Sequence, residues 1–588
     1  MDLSWTASVV FFLGCISAGG GFYFYEKSKI RQNGVVWLPV TAIALMCFHT
    51  LVAGIFSFVH IPVGIISIGI GDLAAALFFW YRIIADNKRQ EYFYEKTDVL
   101  FAGILLMIVA GFAVQRYGTD LQIHYQTTDP QNHLKYAMNI INDRKVYGMY
   151  HASLNNALVI EMLSPLSEVN RYYRLFIISD LAMFLLSGMM FFAVIAGYAR
   201  TKFLKAAAWA VTLVYMLGYP MNNINLGSVY LGIGVTLVAY LIFMTDGFLR
   251  NEWDKRVGIA LISLGCLGIF LCYVLFMPAV FVGIFVTIAR DRFMKRQLFG
   301  QDTVMLFLAI FLIPCAVGLF YILTGTFGGD VSLGSAINTE GFIYKDLYYN
   351  FILLMPFSLY GTYKILRNRA ADSAVFIAAT VLVSMLVLLL IGLGGVASSY
   401  YYYKNYHPLW LVMWVLFFNG IRYLSKDVKG ILASAALTAL FVLGMKGFGI
   451  EERIRERNER FAPAVDSAID SNIFVFNYRS LRTSGYSADK LALYDYVYEN
   501  LLPEKYDVPM AGPWDDVHWY EAITNQRHEH YYHWFTGGEE FLEKIREKAD
   551  YVLVFTKSDS DIYFEFREYF ESLEKVFSNG AGFVARVK

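Results

Sequence analysis

Asp129 stands directly before Pro130, and His133 follows one turn later. A carboxylate and an imidazole spaced four residues apart share a helix face, and both groups can move protons. The same Asp-Pro pair is also an ordinary helix start, with Asp as N-cap and Pro at N1. Asp120 lies on the same stretch without a proline beside it. Arg171 and Arg174 are three apart at the start of an apolar run, so they share a face. Lys404 and His407 open another such run. Cations at these places can meet an anion, and they also snorkel from helix ends toward water. Tyr400 to Tyr403 can stack on a ring, Tyr403 being the candidate, or form an interfacial aromatic belt. Asn222, Asn223 and Asn225 sit in a short polar interruption, where they can hydrogen-bond a ligand or simply build a turn. Near the C-terminal end, Trp514-Asp-Asp-Val-His-Trp519 and His528-Glu-His-Tyr-Tyr-His533 gather histidines and acids. No spacing there is diagnostic of a metal site; Trp514, Trp519 and Trp534 are candidate contacts for a substrate.

The elements that hold these residues are read from composition. Apolar residues make up 57% of the 588 and charged ones only 17%, against about a quarter charged in soluble domains. The apolar excess falls in stretches near the length that crosses about 30 Å of hydrocarbon. About fourteen such spans are expected, from 5–25 through to 429–447, including 349–365 and 406–421. All five cysteines, Cys15, Cys47, Cys266, Cys272 and Cys315, lie in apolar segments, so the polar regions can hold no disulfide framework. The first apolar run lacks a basic leader and is expected to be a retained span.

Lys and Arg crowd one alternating set of loops, for example Lys27, Lys29 and Arg31, or Arg290, Arg292, Lys295 and Arg296. The positive-inside rule makes that set cytoplasmic and both termini extracytoplasmic. Three segments then lie outside: 116–172, 324–348 and 448–588. In the first, Leu134, Ala137, Met138 and Ile141 repeat at helical spacing from Pro130, and a second helix is expected over 153–163. Both are short and amphipathic, as interfacial helices are. The acidic tail reads as a small α/β domain, with helices at 488–501, 538–549 and 560–572, a buried strand at 551–556 and a last strand near 583–587. The expected class is a polytopic α-helical membrane protein with a C-terminal extracytoplasmic α/β domain.

An acid on paired interfacial helices, many spans and an outer α/β tail resemble the GT-C superfamily of integral membrane glycosyltransferases. The Thr128-Asp-Pro-Gln-Asn-His133 stretch is similar to the family's Asp-bearing loop. Tyr400-Tyr-Tyr-Tyr-Lys-Asn-Tyr-His-Pro408 resembles the entry to a late span in bacterial members, and Ala549 to Phe555 matches the rhythm of their outer domains. Family members usually carry this loop after their first span, whereas here three spans precede the corresponding one. The resemblance therefore implies added helices over 1–95, a GT-C-like core over 96–447 with outer loop 116–172, and the soluble domain over 448–588.

The resemblance further implies a polyprenyl-phosphate sugar donor, an acceptor that is a glycan, polymer or protein of the cell envelope, and a bacterial plasma membrane. It gives Asp129 the role of general base, with Asp120 as runner-up, and sets His133 to orient it or to contact the acceptor. Arg171, Arg174, Lys404 and His407 would face the donor phosphate, and Asp120, Asn222, Asn223 and Tyr403 the rest of the substrate. A divalent metal is compatible with such chemistry but fixed by no residue pattern. No phosphate-binding glycine loop or dinucleotide fingerprint is present, and the acidic tail argues against nucleic acid. A transporter or flippase should bury several ionisable groups in its spans; Asp72 and Asp180 are the few here. A scaffold would have no use for an acid at position 129.

Overall fold

The computed structural model describes residues 3–27, 34–85, 95–146, 151–252, 254–323, 338, 340–368, 371–424, 428–461, 472–526, 538–557 and 560–588. Within them, helices follow the apolar runs. They are α1 (Leu3–Lys27), α2 (Gly34–Phe58), α3 (Ile65–Ala85), α4 (Lys96–Tyr117), α5 (Asp129–Asp143), α6 (Ala152–Leu163) and α7 (Tyr172–Ala196). Next come α8 (Lys202–Leu217), α9 (Tyr219–Leu226), α10 (Val229–Leu249), α11 (Lys255–Cys272), α12 (Met277–Met294) and α13 (Gln301–Leu323). The late helices are α14 (Met355–Arg367), α15 (Ser373–Leu393), α16 (Ser399–Lys404), α17 (Tyr406–Tyr423) and α18 (Val428–Gly447).

Among the described residues, 12 helices are long and apolar enough to cross a membrane, and the chain is a multi-pass membrane protein. Two expected spans are not among them. The 349–365 stretch opens with a 3₁₀ turn at Tyr349–Phe351 and leaves α14 only 13 residues, well short of the ~20 that reach across. The 406–421 stretch is α17, which carries His407 and Arg422 and is buried along most of its length. These two helices pack on each other through facing glycines. A Cβ at Gly361 would run into the Leu416 carbonyl, and one at Gly420 into the Phe357 carbonyl. Gly420→Ala should therefore cost about 1–3 kcal/mol of overpacking, read as a lower thermal unfolding midpoint in detergent.

α10 is apolar on every side and buried almost throughout, the centre about which α7, α11 and α17 pack. By contrast α4 and α18 leave Leu106, Met107, Leu437, Leu440 and Leu443 exposed, as helix faces toward lipid do. α1 to α3 share one hydrophobic cluster with the later helices.

The tail forms a four-stranded sheet of order β1-β2-β4-β3, with β1 (Met510–Ala511), β2 (Tyr551–Phe555), β3 (Glu574–Ser578) and β4 (Gly582–Arg586). β1 runs parallel to β2, and the other pairs are antiparallel. The amphipathic helix Gly538–Lys548 packs Phe541, Leu542 and Ile545 on this sheet. The expected helix over 560–572 is broken at Phe566 into Asp561–Glu565 and Arg567–Ser572. The expected helix over 488–501 is α-helical only over Ala488–Tyr496 and ends in a π-helical turn, Val497–Leu501.

The polar segments and the tail meet on one face of the helical body. The tail helix Trp514–Thr524 lies on α5, where Lys135 pairs with Glu521 at 2.7 Å and Asn142 donates to Asn525 at 2.7 Å. Tyr486 N–H donates to the Ile123 carbonyl at 2.7 Å. From the helix Ile473–Ser480, Asn477 donates to the carbonyls of Leu217 and Gly218 at 2.8 and 2.7 Å.

Candidate functional site

α5 starts where the pattern places it, but its first residue is used differently. Thr128 occupies the cap, Asp129 is the first helical residue, and no side chain caps the helix. Asp129 is thus not the N-cap that its Asp-Pro sequence suggests. Its backbone N–H is held by Thr127 Oγ1 at 3.3 Å, while its carboxylate has no hydrogen bond within the described residues. The carboxylate thus lies at the positive end of α5, half-buried and not consumed by structure.

The loop that delivers it is clamped from three directions. Arg116, buried at the end of α4, donates to the carbonyls of His124 at 2.8 Å, of Asn225 at 3.3 Å, and of Ser480. Gln126 N–H donates to the Asn225 carbonyl at 3.0 Å. Pro130 packs on Gly227, which ends α9 at φ +77°; any Cβ there would run into the proline ring. Only glycine meets both demands, left-handed backbone and close approach.

His133 stacks on Tyr230, with ring centroids 3.7 Å apart. Its Nδ1 is buried and has no hydrogen-bond partner within the described residues. Burial lowers its pKa to about 4, against the pull of Asp129 and with the help of the Lys404 charge. The ring is therefore neutral at pH 7. Lys404 ends α16 and caps the Tyr400 ring at 3.8 Å. Burial likewise brings its ammonium down to about 8, opposed by the Asp129 charge. Three groups from elements some 270 residues apart in sequence, Asp129, His133 and Lys404, thus share one electrostatic neighbourhood.

A mostly apolar cavity lies between α7, α8, α9, α10 and α17. Asp180, Tyr219, Asn223 and His407 supply its polar lining, and Met183, Phe184 and Val235 part of its apolar wall. His407 is one turn on from Lys404. Both its ring nitrogens, the Tyr219 hydroxyl and Asn223 Oδ1 are buried without hydrogen-bond partners within the described residues. Groups so placed are costly unless a ligand or water meets them. Asp180 accepts from Tyr125 at 2.8 Å and from Asn156 at 3.4 Å, which ties the cavity wall to the clamped loop.

Other candidates lie elsewhere. Asp120 is exposed in the turn after α4. Arg171 donates to Asp495 of the tail at 2.7 Å, beside Asn170, and Arg174 lies over Tyr173. Neither arginine makes a hydrogen bond or ion pair with Asp129 or His133. Arg171→Gln should cost under about 1 kcal/mol, as partly exposed pairs do, and nothing further once Asp495→Asn is present; a double-mutant cycle on the unfolding midpoint checks this. The asparagines are not in a loop: Asn222, Asn223 and Asn225 are buried within α9, and Asn222 donates to Asn477 of the tail at 3.3 Å. Nor do Tyr402 and Tyr403 form a belt. Both are buried, with Tyr403 donating to the Phe461 carbonyl and Tyr402 paired with Tyr406 at 3.1 Å. In the tail, Asp516 pairs with Lys490 at 2.5 Å, and His518 stands 3.8 Å from Glu521. The His528–His533 cluster and Trp534 lie outside the described residues, as do the side chains of Trp514 and Asp515.

Fold and site define a multi-pass helical membrane protein whose polar site sits where its spans meet a small sheet domain. No family model matches the sequence, and no curated protein matches it. Among solved structures, the chain is similar to ArnT from Cupriavidus metallidurans bound to undecaprenyl phosphate. Identity is 12% and TM-score 0.47, over 83% of this chain and 98% of that one. It is also similar to the oligosaccharyltransferase of Archaeoglobus fulgidus in its apo form, at 12% identity and TM-score 0.41, over 80% of this chain and 70% of that one.

Proposed function

We propose that this protein is a membrane glycosyltransferase that moves a sugar from a polyprenyl-phosphate donor to an extracytoplasmic acceptor of the cell envelope, with inversion at the anomeric carbon. The observation that carries the reading is the unengaged Asp129 carboxylate, set by a clamped loop in the electrostatic neighbourhood of Lys404. The Thr128–His133 motif and the distribution of Lys and Arg along the loops support it and favour the outer side for the site.

In this reaction the acceptor hydroxyl oxygen bonds to the anomeric carbon as the bond from that carbon to the phosphate oxygen breaks. Asp129 takes the hydroxyl proton, and the lipid phosphate leaves with the bonding pair. Lys404 offsets the charge that builds on the leaving oxygen. Neutral His133, fixed by stacking on Tyr230, holds the acceptor or the carboxylate in line. Arg174, at the head of α7, is a further cation for the donor headgroup. One carboxylate and one imidazole with an ammonium against them make a poor divalent-cation site, since hard cations take six or more oxygens; no step passes through a metal.

The test is sugar transfer by the purified chain with a panel of polyprenyl-phosphate sugars and envelope acceptors. Donor consumption with release of polyprenyl phosphate is expected. A donor panel left intact, together with movement of lipid-linked sugar across vesicles, would make the protein a flippase.

A further inference from the structure

Cys15 of α1, His49 of α2 and Asp72 of α3 converge inside the first three helices, and the proposed transfer reaction has no use for them. The Asp72 carboxylate is fully buried. Its Oδ1 is 2.8 Å from His49 Nε2, and its Oδ2 accepts from Cys15 Sγ at 3.3 Å. The three ligand atoms all lie within 4.8 Å of one another. Asp72 is seven residues into α3 from the α2–α3 connection, about 10 Å down the helix at 1.5 Å per residue. A carboxylate at such depth is costly unless paired or bound to a metal.

We infer that Cys15, His49 and Asp72 form a binding site for a divalent transition ion of the zinc class. Three arguments support it. The donor set is thiolate, imidazole and carboxylate, the nitrogen, sulfur and oxygen ligands that zinc takes. One thiolate and one carboxylate carry two negative charges, which a divalent ion cancels inside hydrocarbon. Zinc bonds of about 2.0–2.3 Å put tetrahedral ligands some 3.3–3.8 Å apart, so the present 2.8–3.3 Å contacts need open by only about half an ångström. Binding replaces the Cys15 S–H proton, which leaves to solvent. The competing account is a metal-free hydrogen-bonded triad in which His49 and Cys15 both donate to Asp72. The ion would tie α1, α2 and α3 together at one point.

The experiment uses the full chain in detergent, stripped of metal and titrated with cobalt(II), which reports thiolate ligation through a near-ultraviolet charge-transfer band. One equivalent should bind with that band, and zinc should displace it. Cys15→Ser, almost isosteric, should abolish the band and weaken cobalt binding at least about tenfold, since even outer-shell losses cost that much. Cys315→Ser, on α13, should change neither. A band absent from the native chain, or present unchanged in Cys15→Ser, overturns the site in favour of the hydrogen-bonded triad. Asp72→Asn is a supplementary variant, and should it fail to fold, the Cys15→Ser comparison decides alone.

Discussion

Asp129→Asn is expected to lower sugar transfer by roughly 10²–10⁴-fold, the usual contribution of a positioned general base, with expression unchanged and the unfolding midpoint lowered only slightly. The amide keeps the shape of the side chain but has no lone pair basic enough to take the acceptor proton. Stability should largely hold because, among the described residues, the native carboxylate makes no hydrogen bond and caps no helix; the helix loses only a charge near its positive end, worth about 0.3–1 kcal/mol. Turnover measured at saturating donor and acceptor separates this from a binding defect, since the loss should appear in kcat. Native turnover in Asp129→Asn would remove Asp129 as the base and return attention to Asp120.

The second large effect belongs to Lys404. Lys404→Met should cut kcat/KM for the donor by about 10²–10³-fold, the scale on which one preorganised charge partner of a transition state acts. The pH dependence gives a sharper signature. Burial lowers the ammonium to about 8, so the cation is present below that pH and lost above it. The kcat/KM profile, which reports the free enzyme, should fall above pH 8. Lys404→Arg should lose that alkaline limb, because guanidinium does not titrate in the range, while retaining part of the activity. An unchanged limb in Lys404→Arg would assign the titration to another group and take Lys404 out of the phosphate's path.

What could be read from the sequence was whatever a local pattern encodes. The repeat from Leu134 to Ile141 marks α5, and α6 covers Ala152–Leu163 against the expected 153–163. The unbroken apolar run of Tyr551 to Phe555 is β2. Local rules say less where tertiary packing decides. Residues 349–365 and 406–421 are apolar enough to suggest spans; the first contains a helix of only 13 residues, and the second is a buried helix that approaches it through Gly361 and Gly420. Asn222 to Asn225 read as a turn but lie in a helix, because Pro220 can open one and Gly227 can close it. Asp129, His133, Lys404 and His407 were each candidates in the sequence, but the approach of Lys404 to Asp129 and His133 depends on how α16 packs, and no periodicity reports that. Arg171 looked free for a phosphate because its partner, Asp495, lies over three hundred residues on. The cluster of Cys15, His49 and Asp72 was hidden for the same reason, each residue appearing as an isolated polar group in an apolar run.

The three-way grip of Arg116 has a consequence for the order in which the protein is made. Two of its acceptors, His124 and Asn225, are synthesised early, but the third is the Ser480 carbonyl. Asn477 and Tyr486 close the same seam on Gly218 and Ile123. Until the ribosome has passed residue 486, a buried guanidinium lacks one partner, at a cost of about 1–3 kcal/mol, and the Asp129 loop is only partly held. The helices can therefore be inserted and packed while the chain is still growing, and the Asp129 loop is fully held only once residues 477–486 have been made.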